Sequence, residues 1–150
     1  MDRQQQGFTL IELVVTLVIM GTLAAYGAVN WPFGDATVQA QAEQIARDLR
    51  HAQAIAMTQN RQLTFTTSSS SYAVSESGAT IDDPAGSGPF SQSLDDGVTV
   101  SGGPVAFDGL GRPLSGGSLT GSTISFLVSG NTASMTVNVT PVTGFVTVAP

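Results

Sequence analysis

The chain has 150 residues with 11 acidic and 5 basic side chains, a net charge of −6, and no cysteine. The five cations are all arginines (Arg3, Arg47, Arg50, Arg61 and Arg112), too few and too scattered to neutralise a nucleic-acid backbone or an anionic membrane surface, and the missing thiols exclude disulfides, thiolate metal sites and a cysteine nucleophile. With 41% hydrophobic and 11% charged residues and much Gly, Ser and Thr, the composition points to one small β-rich domain plus one appended apolar segment.

Residues 1–7 are polar, and Asp2 beside Arg3 leaves their side chains without net charge. Phe8 to Val29 follows, 22 residues with one charged side chain, Glu12, and no proline. As a helix this run is about 33 Å long, enough to cross a bilayer core. An ordinary signal peptide wants a basic start, a shorter apolar core and a cut after that core; Ala25-Tyr26-Gly27 offers such a cut, but the start is not basic and Glu12 has no use in it. Trp31-Pro32 suggests a kink at the outer membrane edge, with Trp31 as an interfacial aromatic.

Residues 35–59 predict a second helix capped by Asp35 or Thr37. Val38, Ala42, Ile45, Leu49, Ala52 and Ala56 recur every three or four residues and form one apolar stripe, with Gln41, Glu43, Arg47, Asp48, Arg50 and His51 largely off it. Glu43 and Arg47 stand four apart in the favourable order. Beyond Asn60 the period falls to two. Strands are predicted at Gln62–Thr66, Tyr72–Glu76, Val98–Val100, Val105–Phe107, Thr123–Val128, Met135–Val139 and Gly144–Val148, separated by Gly-, Pro- and Ser-rich turns. Residues 78–93 are expected to be a mobile loop. Gly109 and Gly111 permit positive φ in a turn whose exit Pro113 fixes, and Thr140–Gly144 is expected to form a hairpin.

A carboxylate inside an apolar helix costs about 2.5–3.5 kcal/mol on lenient scales, so Glu12 calls for a partner. A cut between Gly7 and Phe8 would create an α-amine four residues before Glu12, and a neighbour's amine would pair with that carboxylate and set an axial stagger between subunits. Snorkelling of Glu12 to the headgroups is the blander possibility.

Gly7-Phe8-Thr9-Leu10-Ile11-Glu12-Leu13 resembles the processing motif of type IV prepilins and type II secretion pseudopilins. The resemblance implies cleavage after Gly7 by a prepilin peptidase, methylation of the Phe8 amine, and a long helix from Phe8 to about residue 58. It also implies that Leu10, Leu13 and Leu17 contribute to a filament core. Many major pilins carry proline near the end of the apolar half; here Val29 stands there and proline comes at Pro32. Asp48-Leu49-Arg50-His51-Ala52-Gln53-Ala54-Ile55-Ala56, Val105–Pro113 and Val142–Val148 are similar to segments of the GspH, FimT and FimU family of minor pseudopilins and minor pilins, and MSHA-type pilins share the look of the helix.

The expected architecture is α+β, a long N-terminal helix packed on a small antiparallel sheet or β-sandwich. The expected segments are a leader at 1–7, a transmembrane and filament-core helix at 8–29, a kink and amphipathic helix at 30–59, and a periplasmic domain at 60–150. The implied partners are the prepilin peptidase, other pilins or pseudopilins and an inner-membrane assembly platform, with nucleic acid disfavoured and no cofactor. The implied location is the bacterial inner membrane and then the filament.

Other functions draw on less. His51 is the only histidine, with no triad around it. Asp82-Asp83 and Asp95-Asp96 are hard-oxygen pairs without a calcium-loop spacing. Arg112 in its Gly-rich turn suits an anion less well than it suits a structural turn. A tip adhesin using residues 78–93, or a tethered periplasmic domain that never polymerises, are the rival readings.

Overall fold

The structure, a computed structural model, describes residues 9–30, 33–84, 86, 88–95 and 97–150, and the side chains of 28–30 and 33–35 are not among what it describes. The chain divides into two compact units, Met1–Phe33 and Gly34–Pro150. The leader and the expected kink at Trp31-Pro32 lie outside the described residues.

The first unit holds helix α1, Leu10–Asn30. In the second, helix α2, Phe33–Gln59, starts earlier than the sequence suggests, so Asp35 and Thr37 lie inside it rather than capping it. The whole predicted stripe of Val38, Ala42, Ile45, Leu49, Ala52 and Ala56 is buried, joined by Ala46 and Ile55. The alanines let the helix axis approach the strands closely. Asn60, at φ +47°, ends the helix in a left-handed residue, and the Arg61 N–H closes the last turn on the Ala56 carbonyl at 3.1 Å. The Glu43–Arg47 pairing expected on this helix is not one of the ion pairs among the described residues, which join Arg61 to Glu76 and Arg112 to Asp108.

Among the described residues eleven strands follow: β1 Leu63–Ser68, β2 Ser71–Glu76, β3 Ala79–Thr80, β4 Ser91–Ser93, β5 Thr99–Gly102, β6 Val105–Phe107, β7 Pro113–Ser115, β8 Ser118–Leu119, β9 Ile124–Ser129, β10 Ser134–Val139 and β11 Val146–Ala149. They form two antiparallel sheets. The larger runs β3-β2-β1-β6-β7-β8, with β4 pairing β2 beside β3; the smaller runs β11-β10-β9-β5. All seven predicted strands are present, and four short ones were not predicted. The supposed loop at 78–93 instead carries β3, β4 and an Asp82–Pro89 bridge, and buries Ile81 and Phe90.

One core joins α2 to both sheets. Alternation aims Leu63 and Phe65 of β1, Tyr72 and Val74 of β2, Phe126 and Val128 of β9, and Val137 and Val139 of β10 into it. Phe65 stacks on Tyr72 within the larger sheet at 5.1 Å and meets Phe126 of the smaller sheet edge-on at 5.6 Å, so one ring serves both sheets. Hydrogen bonds also tie β5 to the β1–β2 hairpin: Val100 N–H donates to the Ser69 carbonyl at 3.0 Å, and the Thr67 hydroxyl to the Gly102 carbonyl at 2.7 Å.

The Tyr72 hydroxyl donates to Asp48 Oδ2 at 2.6 Å, tying α2 to β2. Burial pushes the Asp48 carboxyl above its ordinary range, outweighing the Tyr72 hydrogen bond and the field of Arg47, and burial together with Asp48 pushes the Tyr72 hydroxyl up. The folded state therefore holds the Asp48 proton more tightly than the unfolded chain does. The stability this group contributes is present at low pH and is lost as pH rises from 3.8 through the raised folded value.

Two outcomes are expected. Phe65→Ala lowers the stability of the full chain in detergent by about 3–5 kcal/mol, read from its denaturant midpoint. Asp48→Asn keeps an oxygen acceptor for Tyr72 and removes the buried charge, so its urea midpoint gains on wild type between pH 4 and pH 7; an equal difference at both pH values would discard charge burial as the cause.

Candidate functional site

Helix α1 opens on Thr9, whose Oγ1 accepts the Glu12 N–H at 3.3 Å while its carbonyl accepts the Leu13 N–H at 3.2 Å. Thr9 is thus the N-cap and Glu12 the third helical residue, a Thr-x-x-Glu pattern visible in the sequence but not read from it. At this place the helix dipole favours a carboxylate. The helix advances roughly 100° per residue, so Leu10, Leu13 and Leu17 share one stripe and Glu12 lies off it with Thr9 and Thr16. All three leucines and Glu12 are exposed, as are Ile11, Val14, Val15, Val18, Ile19, Met20 and Leu23. Apolar side chains exposed on every face mark a helix meant for lipid or for other helices. The Thr16 and Thr22 hydroxyls turn inward onto the Leu13 and Ile19 carbonyls, each at 2.9 Å, which suits an environment without water. Leu10–Gly27 is long and apolar enough to cross a membrane. Gly7 and Phe8 lie outside the described residues.

In the second unit, three segments converge on Gln53. Its Nε2 donates to the Gly111 carbonyl at 2.7 Å and to the Thr143 carbonyl at 3.0 Å, joining α2 to the β6–β7 turn and to the β10–β11 turn. Gly111 and Gly144, at φ +76° and +67°, bring these turns against each other; a Cβ on Gly144 would sit 2.7 Å from the Gly111 carbonyl oxygen. Gly109, which would permit positive φ, does not adopt it. What demands glycine there is the close approach of Asn60, which occupies the space of a Cβ. Arg50 adds a bond from its guanidinium to the Val146 carbonyl at 2.9 Å. The role of Gln53 was not legible, because its partners are backbone carbonyls far along the chain.

Inside the β6–β7 turn, Asp108 Oδ1 accepts the Leu110 and Arg112 N–H groups at 2.9 Å each, and Oδ2 takes the Arg112 guanidinium at 2.7 Å. Slight burial raises the Asp108 pKa, but the Arg112 side chain, these two N–H groups and the Arg112 charge outweigh it and hold the carboxyl below its ordinary range. Its contribution is present above 3.8 and is lost as pH falls through the lower folded value. Arg112 is therefore committed to its own turn, the structural reading rather than anion capture.

The remaining candidates gather no chemistry. His51 is half-buried, its ring 5.5 Å from Phe90, rather than on a solvated face. Asp83 shapes a turn, its N–H bonded to the Gly88 carbonyl, and among the described residues no three His, Cys, Asp or Glu side chains come together as a metal site would need. A groove of about 400 Å³ lies between Gln59 and Ile81, and its charges are the Arg61–Glu76 ion pair and Asp82.

Residues 2–27 match the prokaryotic N-terminal methylation motif, and residues 41–144 match the model of the type II transport protein GspH. The chain belongs to the GspH family. No curated protein matches it significantly along its length. Its fold is similar to that of the type IV minor pilin FimU of Pseudomonas aeruginosa PAO1, seen in two crystal forms. One is 14% identical with a TM-score of 0.56, covering 75% of this chain and 92% of that one; the other is 12% identical with a TM-score of 0.54, covering 75% and 88%. The GspH match spans α2 from Gln41, every strand but β11 and the two turns clasped by Gln53, while the methylation motif spans nearly all of α1.

Loss of the clasp leaves two carbonyls facing each other across a half-buried gap. Gln53→Ala is expected to lower stability by about 1–3 kcal/mol. Gln53→Glu should cost at least as much, because a carboxylate would face both carbonyl oxygens. A Glu variant as stable as wild type by thermal unfolding would show that the amide donates to neither.

Proposed function

We propose that this GspH-family chain is a minor pilin-like structural subunit that assembles into, initiates or caps a type II secretion pseudopilus or a type IV pilus. The observation that carries the reading is α1 itself: a helix apolar on every side, with one carboxylate in its first turn, preceding a separate compact unit that carries the GspH match. In this reading residues 1–7 are a leader cut off by a prepilin peptidase, and Gly7 and Phe8 flank the cut. Residues 8–29 anchor the chain in the inner membrane and later line the filament core through Leu10, Leu13 and Leu17. Residues 30–59 connect to the periplasmic domain at 60–150. Glu12 pairs with the Phe8 amine of a neighbouring subunit, and a membrane assembly platform builds the filament. The proposal assigns the chain no catalytic step.

The Thr9–Glu12 geometry favours one rival. As the third helical residue, just inside the Thr9 cap, the Glu12 carboxylate is stabilised by the helix dipole with no neighbour present, as in a membrane-tethered domain that never polymerises. Two variants separate the readings. Glutamine serves a capping box as well as glutamate does but carries no charge. Both Glu12→Gln and Glu12→Ala are therefore expected to leave the globular unit folded and to reduce the subunit recovered in sheared filaments at least tenfold. Normal incorporation of Glu12→Gln would remove the charge pairing and leave the cap as the role of Glu12.

A further inference from the structure

The outside of the Gln53 clasp is apolar. Met57 lies one turn along α2 from Gln53, Leu110 precedes Gly111, and Val142 and Phe145 flank Thr143 and Gly144. These four side chains are 46, 70, 67 and 63% exposed. They surround one spot: a Cβ on Gly111 would fall 2.6 Å from Met57 Sδ, and the Gln53 amide reaches both turns.

Val142 takes φ +69°. The left-handed region is unfavourable for a β-branched residue, and a turn there accepts Asn or Gly more readily. The side chain that carries this strain is exposed and contributes no burial to the core. Its apolar character therefore serves something outside the domain.

We propose that this patch contacts the globular part of a neighbouring pilin-like subunit, an inference that rests on the filament reading above. The area selects the occupant. Four partly exposed side chains present an area on the order of the 300–600 Å² that the largest patch of a monomer reaches. Partners that associate freely bury about 800 Å² each. The patch suits a partner already held nearby, and packing through α1 supplies that tether, so the second contact forms at high effective concentration. Charge agrees. The ionic groups bound into these turns are the Asp108–Arg112 pair and Arg50, so acidic subunits can meet here without adding like charge, although the chain carries −6.

The test places a photo-crosslinking amino acid at Val142 or Phe145 of the full chain in cells that make the filament. Filaments are sheared, irradiated and analysed by peptide mass spectrometry. The expected product is a covalent pair with a subunit that carries a prepilin-type N-terminus, and it disappears in Glu12→Ala. A chain present in the filaments but uncrosslinked, or crosslinked only to a protein without that N-terminus, overturns the patch and leaves the filament reading standing. A chain absent from the filaments overturns both. Val142→Asn provides a second readout: it is expected to keep or raise the unfolding midpoint in detergent while lowering incorporation severalfold. A lowered midpoint would mean that Val142 serves the fold, and the proposal fails.

Discussion

Helix α1 sets the constraint that the rest of the molecule answers. Its leucines, its two isoleucines and Val14, Val15 and Val18 are exposed all round, and in water each buried equivalent would contribute about 1.5–3 kcal/mol that here goes unrealised. Such a helix is stable only where lipid or other helices cover it. Its few polar groups are consistent with that environment: the two threonine hydroxyls close on their own carbonyls, and the only carboxylate sits where the helix terminus already favours negative charge.

If the first helix passes from lipid into a filament, as proposed, the subunit needs a second part that keeps its own structure throughout. The Gly34–Pro150 unit meets that need by closing a core from α2 and both sheets without help from α1 residues. Its polar ties are few and specific. Tyr72 to Asp48 joins the middle of α2 to β2, and Gln53 and Arg50 join α2 to the β6–β7 turn, the β10–β11 turn and β11. The Asp48 tie keeps a carboxylate partly out of water, so burial works against it near neutral pH. The Asp108 turn works the other way, since its carboxylate is held charged by Arg112 and two N–H groups. The two act in separate windows, Asp48 between 3.8 and its raised folded value and Asp108 between 3.8 and its lowered one, so mild acid relieves the first before stronger acid releases the second.

How legible this was depends on how far apart the interacting residues lie in the sequence. The α2 stripe repeats every turn, and the six-residue strands β1, β2, β9 and β10 alternate, so both could be read directly. β3, β4 and β8 are two or three residues long with every side chain exposed, and no periodicity survives at that length. β7 begins at Pro113, which reads as a turn exit unless its partner Phe107 is known. Glu12 stood out because it interrupts an apolar run. Gln53 did not, because a glutamine at the edge of an amphipathic face looks solvated; its partners lie 58 and 90 residues away and are backbone atoms that no side-chain pattern encodes. The helix start was misplaced for a related reason: periodicity begins at Val38, while the helix propagates back to Phe33.

The proposed cut after Gly7 changes the electrostatics of α1 in a way that favours burial. Before cleavage the leader side chains sum to zero, and Glu12 is a charge eased by the helix dipole. Removing the leader exposes an α-amine at Phe8, one residue before the N-cap. The first turns then carry one positive and one negative group and no net charge. A neutral segment enters an apolar filament core far more readily than a charged one. Because the two groups are offset along the axis, a row of such segments attracts when each subunit is shifted relative to the next and not when they are level. Processing in this reading both frees the N-terminus and makes the helix bury well only in register.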